Sequence, residues 1–119
     1  LRSDWSSDVC SSDLYQSENL VKDHYLNLGY RFLHANRTIP GGEIDLIFES
    51  DSELIFIEVK TVDYTEDLEN YITKTKLKAL ERAVEAYITK CPTSKDLRID
   101  VAFLQQGKII EIYENITNT

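Results

Sequence analysis

The chain has 119 residues, a formal net charge of −8, and 42% hydrophobic and 29% charged residues. This length suits one domain with a single core, and the composition is that of an ordinary globular protein. No apolar run approaches the ~20 residues that a helix needs to cross a bilayer, so the sequence predicts no membrane partner. The acidic balance counts against a protein that holds DNA through bulk positive charge alone.

The segment from Leu1 to Leu14 differs from the rest of the chain. It is rich in Ser and Asp and shows neither a helical nor a strand period. Its sequence resembles the in-frame translation of a common short-read sequencing adaptor. We therefore expect residues 1–14 to be a non-native, disordered leader and residues 15–119 to form the domain. Cys91 is then the single thiol of the domain, which favours a reducing, cytoplasmic setting.

The first predicted element after the leader is a helix that begins at Ser17 and ends at Gly29. Ser is a favoured N-cap residue, and Gly is favoured at the position that follows a helix. Apolar residues recur between them at helical spacing: Leu20, Val21, Tyr25 and Leu28. A short strand at residues 30–33 and turn chemistry at residues 39–42 come next.

The second half of the chain predicts four strands and one helix. Two β-rich runs, residues 43–49 and 53–61, are separated by a polar turn and predict a hairpin. The period is helical from about residue 65 to residue 90, and two further strands follow at residues 97–104 and 109–113. Asp100 is expected to support the fold or to pair with Arg98. The order α-β-β-β-α-β-β predicts an α/β domain, a mixed sheet of about five strands flanked by helices.

Charged residues interrupt both strands of the hairpin. Because side chains alternate across a strand, Glu43 and Asp45 share one face, and Glu58 and Lys60 share one face of the next strand. The other face of the first strand is predicted to be apolar, with Ile44, Leu46 and Phe48. The hairpin sets the strands side by side, so two carboxylates and one ammonium are predicted to converge at an open end of the sheet.

This set of groups suits hydrolysis of a phosphodiester bond. A hard cation such as Mg²⁺ takes oxygen ligands, polarises a phosphoryl oxygen and lowers the pKa of a bound water. Lys60 can orient the nucleophile or stabilise charge in the transition state. The simpler alternative is a salt bridge at the sheet edge between Lys60 and Asp45 or Glu58. Four charges within two otherwise apolar strands favour the functional interpretation.

The same residues carry a resemblance to known families. Asp45, followed thirteen positions later by Glu58-Val59-Lys60, resembles the PD-(D/E)XK nuclease motif. Residues 42–47 and 55–61 are more closely similar to the YraN-type family of small uncharacterised bacterial proteins, commonly described as Holliday-junction-resolvase-like. The remaining matches follow in order: Glu18, Gly29-Tyr30, Asn36, Ile72-Thr73, Lys76 and residues 98–101. The resemblance covers residue 17 to about residue 104.

The resemblance implies a restriction-endonuclease-like core and an endonuclease that acts on DNA with Mg²⁺ or Mn²⁺. Asp45 and Glu58 would be metal ligands, with the carbonyl of Val59 as a third. Lys60 would be the catalytic lysine. Glu18 matches a first-helix glutamate that joins sites of this type.

Other charged residues allow two interpretations each. Glu18 taken alone is a solvated helix charge favoured by the helix dipole, whereas the resemblance makes it catalytic. Glu43 is close enough to Asp45 in sequence to be an accessory residue of the same site. Arg37, Lys74 and Lys76 are candidate nucleic-acid contacts, although the two lysines equally suit a solvated helix face that pairs with nearby glutamates.

Some positions depart from the family pattern. Ser17 stands where Gly is usual, Thr38 stands where Arg is usual, and residues 61–64 lack an expected basic residue and Phe-Gly pair. These departures bear on substrate grip more than on the metal centre. A catalytically inactive nucleic-acid- or protein-binding module on the same fold is the competing function, and a hydrolase of small phosphodiesters is a third. Junction cleavage would call for a homodimer.

Overall fold

The computed structural model describes residues 9–39, 42–63 and 68–116, with side chains from residue 17 onwards. Its elements are α1 (Val9–Asn27), β1 (Arg31–Ile39), β2 (Gly42–Glu49), β3 (Glu53–Thr61), a 3-10 helix (Leu68–Tyr71), α2 (Lys74–Lys90), β4 (Asp96–Gln105) and β5 (Lys108–Tyr113). The predicted α/β class and element order are confirmed. No helix in these three ranges is long and apolar enough to cross a membrane.

The first helix begins earlier than predicted. It runs from Val9, so Ser17 lies inside it and the predicted N-cap is wrong. Residues 9–14, which were expected to be disordered, are helical, whereas residues 1–8 lie outside the described residues. Residues 9–16 contain no Gly or Pro, so nothing in that segment stops a helix from extending towards the N-terminus. Gly29, with φ of 96°, follows the end of α1 as predicted.

The first strand is longer than the predicted residues 30–33. It continues to Ile39 because it pairs with β2 along most of its length, out to Ile39 opposite Gly42. The pairing contains a register shift between Phe32 and His34. This irregularity interrupts the alternation of side chains between the two faces of the strand, on which a strand prediction relies. Pro40 and Gly41, the centre of the predicted turn, lie outside the described residues.

The second helix begins later than the predicted residue 65. Thr73 is its N-cap, and the Thr73 hydroxyl accepts a hydrogen bond from the backbone N–H of Lys76 at 3.1 Å. Leu68–Tyr71 before it is a separate 3-10 helix, and residues 64–67 lie outside the described residues. The predicted apolar face is confirmed by four buried residues: Leu80, Ala83, Val84 and Tyr87.

The five strands form one mixed sheet in the order β1-β2-β3-β4-β5. The β3–β4 pair is parallel and the other three pairs are antiparallel. Parallel neighbours need a crossover connection, and α2 lies in that connection. The mixed sheet predicted from the sequence is therefore confirmed.

Two apolar cores lie on the sheet. The α1-side core contains Val21, Tyr25, Leu46, Phe48, Ile55, Ile57, Val59, Ala102 and Leu104. The α2-side core includes Ile44, Ile47, Leu54, Phe56, Leu80, Ala83, Val84, Tyr87, Ile99, Val101 and Phe103. Each fully buried side chain of this kind stabilises the fold by roughly 1.5–3 kcal/mol. The predicted shared face of Ile44, Leu46 and Phe48 is wrong for Ile44, which packs in the α2-side core with Ile47.

Candidate active site

The strands β2 and β3 stop pairing through their backbones next to Asp45. The last paired residues at this end are Leu46 and Ile57. Beyond them the Oδ2 atom of Asp45 accepts a hydrogen bond from the backbone N–H of Val59 at 2.8 Å. The Asp45 carboxylate therefore accepts the hydrogen bond that a backbone carbonyl of β2 would accept in a regular strand pair. This fixes the carboxylate against the β3 segment that carries Glu58 and Lys60.

Asp45 lies in an environment that disfavours its negative charge. Its pKa is raised from 3.8 to about 8, first by burial, then by the charge of Glu58, and further by the charge of Glu18. The hydrogen bond from Val59 acts in the opposite direction but is outweighed. Like charges brought together in a partly buried site would be stabilised by a cation.

Glu58 pairs with a lysine of the second helix. Lys76 Nζ lies 3.1 Å from Glu58 Oε2, and the two side chains are 37% and 15% exposed. Lys60, in contrast, makes no ion pair with Asp45 or Glu58 among the described residues, and its ammonium lies 5.7 Å from the centre of the Tyr71 ring. The alternative interpretation of Lys60 as one half of a sheet-edge salt bridge is therefore wrong.

A small cleft opens beside Glu58, between β3, β4 and the start of α2. Its polar lining consists of Glu58, Lys60, Lys76 and the aromatic ring of Tyr71, over the apolar side chains of Ile72, Leu80, Val101 and Phe103. Asp45 does not line this cleft, and it reaches the site through Val59 and through its electrostatic interaction with Glu58. The cleft is small, about 10 Å³, and two lysines and one glutamate are among the residues that surround it.

Glu18 is buried, with 4% exposure, although it lies on a helix at the protein surface. The interpretation of Glu18 as a solvated helix charge is therefore wrong. Its effect on the pKa of Asp45 shows that the two carboxylates interact. Glu43 lies near the start of β2 and is exposed, and no contact places it in the cleft.

The three candidate nucleic-acid contacts are not one cluster. Lys76 is at the cleft, and Lys74 is exposed at the first position of α2. Arg37 lies on β1, opposite Ile44 of β2, and acts electrostatically on Tyr87 of α2. Tyr87 lies eleven residues, or about 16 Å, further along α2 than Lys76.

The sequence interpretation missed the Lys76–Glu58 ion pair and the position of Tyr71, because both depend on how α2 and the 3-10 helix pack on the sheet.

The donor set fits a hard divalent cation held by few protein ligands. In the part of the chain that the structure describes, no group of three or more His, Cys, Asp or Glu side chains could hold a metal ion by itself. Mg²⁺ commonly uses only one or two protein carboxylates, with water and substrate phosphate as its other ligands. Asp45 and Glu58 supply such a pair, and a cation would relieve their mutual repulsion.

The fold and the site define an α/β protein with two neighbouring carboxylates at the end of a β-hairpin and a lysine-lined cleft beside them. The model of the uncharacterised protein family UPF0102 matches residues 17–104, and the chain belongs to that family. This confirms the YraN-type resemblance seen in the sequence.

Several relatives match along most of their length. A UPF0102 protein of Campylobacter hominis is 33% identical over 103 residues, which cover 87% of this chain and 91% of the relative. A UPF0102 protein of Vibrio parahaemolyticus is 32% identical over 105 residues, with 84% and 87% covered. The crystal structure of SSO0001 is 18% identical with a TM-score of 0.42, and the match covers 96% of this chain and 61% of that chain.

Proposed function

We propose that the protein is a metal-dependent endonuclease of the PD-(D/E)XK type that hydrolyses DNA phosphodiester bonds, with branched or structured DNA as its preferred substrate. The observation that carries the proposal is the half-buried Asp45 held against β3 beside Glu58, with Lys60 two residues further along that strand. A neighbouring carboxylate disfavours the charge of a structural carboxylate, whereas it can serve as a second ligand of a bound cation.

Each residue of the site has a separate role in this proposal. Asp45 and Glu58 would hold Mg²⁺ or Mn²⁺, with the carbonyl of Val59 as a third ligand. When bound, such a cation polarises the phosphoryl oxygen and lowers the pKa of a water molecule. Lys60 lies in the cleft, where its ammonium stabilises the charge that develops on the phosphate. Glu18 adds negative charge behind Asp45, which strengthens the attraction for a cation.

The substrate contacts are part of the same proposal. The lysines of the cleft contact phosphate oxygens, with Lys74 and Arg37 along the path of the backbone and Glu43 at the rim. Because the chain is acidic overall, we expect local contacts and the bound cation to supply the attraction that net charge does not. A homodimer would allow two strands of a junction to be cut, and a cytoplasmic location would bring the protein to its substrate.

A catalytically inactive nucleic-acid- or protein-binding module is the second candidate function. One observation favours it: Glu58 is already neutralised by Lys76 at 3.1 Å, so the fold can satisfy this carboxylate without a cation. The net charge of −8 also favours partners other than DNA. The two functions differ in turnover, because a binding module would show salt-dependent affinity without cleavage.

Cleavage assays distinguish these functions. The whole chain would be incubated with supercoiled, linear, flapped and four-way-junction DNA in Mg²⁺, Mn²⁺ or EDTA, beside Asp45→Ala and Lys60→Ala. We expect cutting that requires the cation and falls by at least about 100-fold in both variants. The exposed Lys78 of α2 provides a matched control, since Lys78→Ala removes a charge of the same type away from the cleft.

The outcomes separate as follows. Cation-dependent cutting that both site substitutions abolish, and that Lys78→Ala retains, supports the endonuclease. A folded protein that binds DNA but cuts none of the four substrates supports the binding module. Cutting that persists in both Asp45→Ala and Lys60→Ala would contradict the assignment of the site.

A further inference from the structure

The contact of Lys76 with Glu58 has no role in the metal-dependent reaction proposed above. Lys76 belongs to the first turn of α2, and Glu58 belongs to β3, so the ion pair joins two elements across the mouth of the cleft. The backbone N–H of Lys76 donates to the Thr73 hydroxyl at 3.1 Å, which fixes the helix turn from which the side chain extends. The ammonium is thus held next to a residue that we assign as a metal ligand.

Lys76 and a divalent cation would compete for the same carboxylate. A Mg²⁺ ion binds its oxygen ligands at about 2.0–2.1 Å. An ammonium that remains about 3 Å from the same carboxylate oxygen would then lie within a few ångströms of the metal, where two cations repel each other strongly. The Lys76 side chain is 37% exposed and keeps the freedom to turn away.

A released Lys76 would still face the cleft. Lys76 lines the same cleft as Lys60 and Tyr71, so its ammonium does not have to leave the site when it leaves Glu58. The cleft has a volume of only about 10 Å³, room for about one water molecule, so a substrate phosphate would bind at its mouth, where it would meet two ammonium groups instead of one. Phosphate accepts charge-assisted hydrogen bonds from such groups.

We propose that Lys76 substitutes for the divalent cation at Glu58, and that cation binding transfers its ammonium from Glu58 to the substrate phosphate. The proposal rests on the metal-dependent function proposed above and adds an order of events to it. Metal-free protein keeps Lys76 on Glu58 and has one free ammonium at the cleft, at Lys60. Loaded protein has two, so it holds a phosphate more tightly than metal-free protein does.

The test is to measure Mn²⁺ affinity and DNA cleavage in the same set of variants. Lys76→Met removes the competitor, and we expect Mn²⁺ to bind about two- to fivefold more tightly by calorimetry, the range of a partly exposed ion pair. Cleavage at saturating Mn²⁺ should fall at least about tenfold, because a phosphate contact is lost. Lys76→Arg keeps the charge and should retain the wild-type Mn²⁺ affinity.

The matched control is Lys78→Met, which removes the same charge from an exposed position on the same helix. It should change Mn²⁺ affinity by less than about 1.5-fold, because solvent screens the longer distance. Opposite changes of metal affinity and cleavage in Lys76→Met alone support the proposal. Equal Mn²⁺ affinities in wild type and Lys76→Met overturn it while leaving the endonuclease intact. Wild-type protein that binds no Mn²⁺ and cuts no DNA overturns both.

Discussion

Two carboxylates on the same sheet, one buried and one half-buried, have opposite surroundings. Asp100 on β4 is 0% exposed and lies at the centre of hydrogen-bond donors. It accepts hydrogen bonds from the Tyr25 hydroxyl at 2.6 Å, from Arg98 Nε at 3.0 Å and Nη2 at 2.9 Å, and from the Asn115 backbone N–H at 3.0 Å. Asp45 on β2 accepts one from Val59, and the ionisable groups that dominate its electrostatics are acidic.

The difference separates a charge that the fold satisfies from one that the fold disfavours. Around Asp100 each charge has a partner, and Arg98 also reaches Glu53 at 3.1 Å and Tyr30 at 3.3 Å, so the network joins α1, β3, β4 and the C-terminal segment. Burial and the Asp100 carboxylate raise the pKa of the Tyr25 hydroxyl above its ordinary range, against the opposing charge of Arg98. Burial lowers the pKa of Arg98, but hydrogen bonds to Asp100 and Tyr30 outweigh it and keep the guanidinium charged. Apart from the hydrogen bond from Val59, the surroundings of Asp45 disfavour its negative charge, so a proton or an added cation would stabilise it.

The largest effect is expected at Asp100. Asp100→Ala leaves the Arg98 guanidinium and the Tyr25 hydroxyl without their shared acceptor in the core. We expect a loss of about 3–5 kcal/mol in the free energy of unfolding, measured with urea. Asp96→Ala, at an exposed position at the start of the same strand, is the control. A loss below about 1 kcal/mol at Asp100 would remove the contrast between the two carboxylates.

A change of opposite sign is expected at Asp45. The pKa of Asp45 in the folded protein is about 8 and its ordinary value is 3.8. Because folding raises this pKa, the stability that the protonated group contributes is complete below about pH 4 and is lost as the pH rises through about 8. Asp45→Asn carries no charge, so we expect the metal-free variant to be about 1–3 kcal/mol more stable than wild type at pH 8.

The measurement is urea unfolding in EDTA from pH 5 to pH 8.5. The difference between wild type and Asp45→Asn should grow with pH, whereas Asp23→Asn, an exposed charge of the same type on α1, should leave the profile unchanged. A variant that is less stable than wild type across this range would show that the charge of Asp45 is satisfied without a cation, as at Asp100.

The smallest effect is expected at an exposed ion pair. Arg31 contacts Glu49 at 3.5 Å and Asp51 at 3.2 Å, and the Arg31 and Asp51 side chains are 54% and 98% exposed. We expect Arg31→Ala to change the free energy of unfolding by less than about 0.5 kcal/mol. Thermal unfolding at low and high salt checks this. A loss as large as that of Asp100→Ala would mean that burial does not decide the energetics of charges on this sheet.

Local pattern was sufficient for much of the fold and for the composition of the site. Alternation and turn chemistry predicted β2 and β3 within a residue, and the helical period predicted the buried face of α2. The hairpin alone placed Asp45 near Glu58, since these residues face each other just beyond the Leu46–Ile57 pair. Such features depend on neighbours in sequence or on one short turn.

Features that depend on distant packing were not predictable in the same way. The ion pair of Lys76 with Glu58 follows from how α2 lies on the sheet, and the burial of Glu18 follows from how α1 does. Ile44 packs on the α2 side of the sheet instead of the predicted side. It does so at the end of β2 where the Asp45 side chain, rather than the backbone, bonds to β3. The sequence did not show where α1 begins. Ser17 is a good cap residue, but residues 9–16 also tolerate a helix, and the helix continues through them.

We propose above that Asp45 and Glu58 together form a cation site. The most direct test of this proposal is the free energy of unfolding of wild type and Asp45→Asn at pH 7.5, each with Mn²⁺ and with EDTA. At Mn²⁺ tenfold above its Kd, linkage predicts that wild type gains about 1.4 kcal/mol and that EDTA reverses the gain. The account predicts no gain in Asp45→Asn. An equal gain in both proteins, or none in wild type, would contradict it.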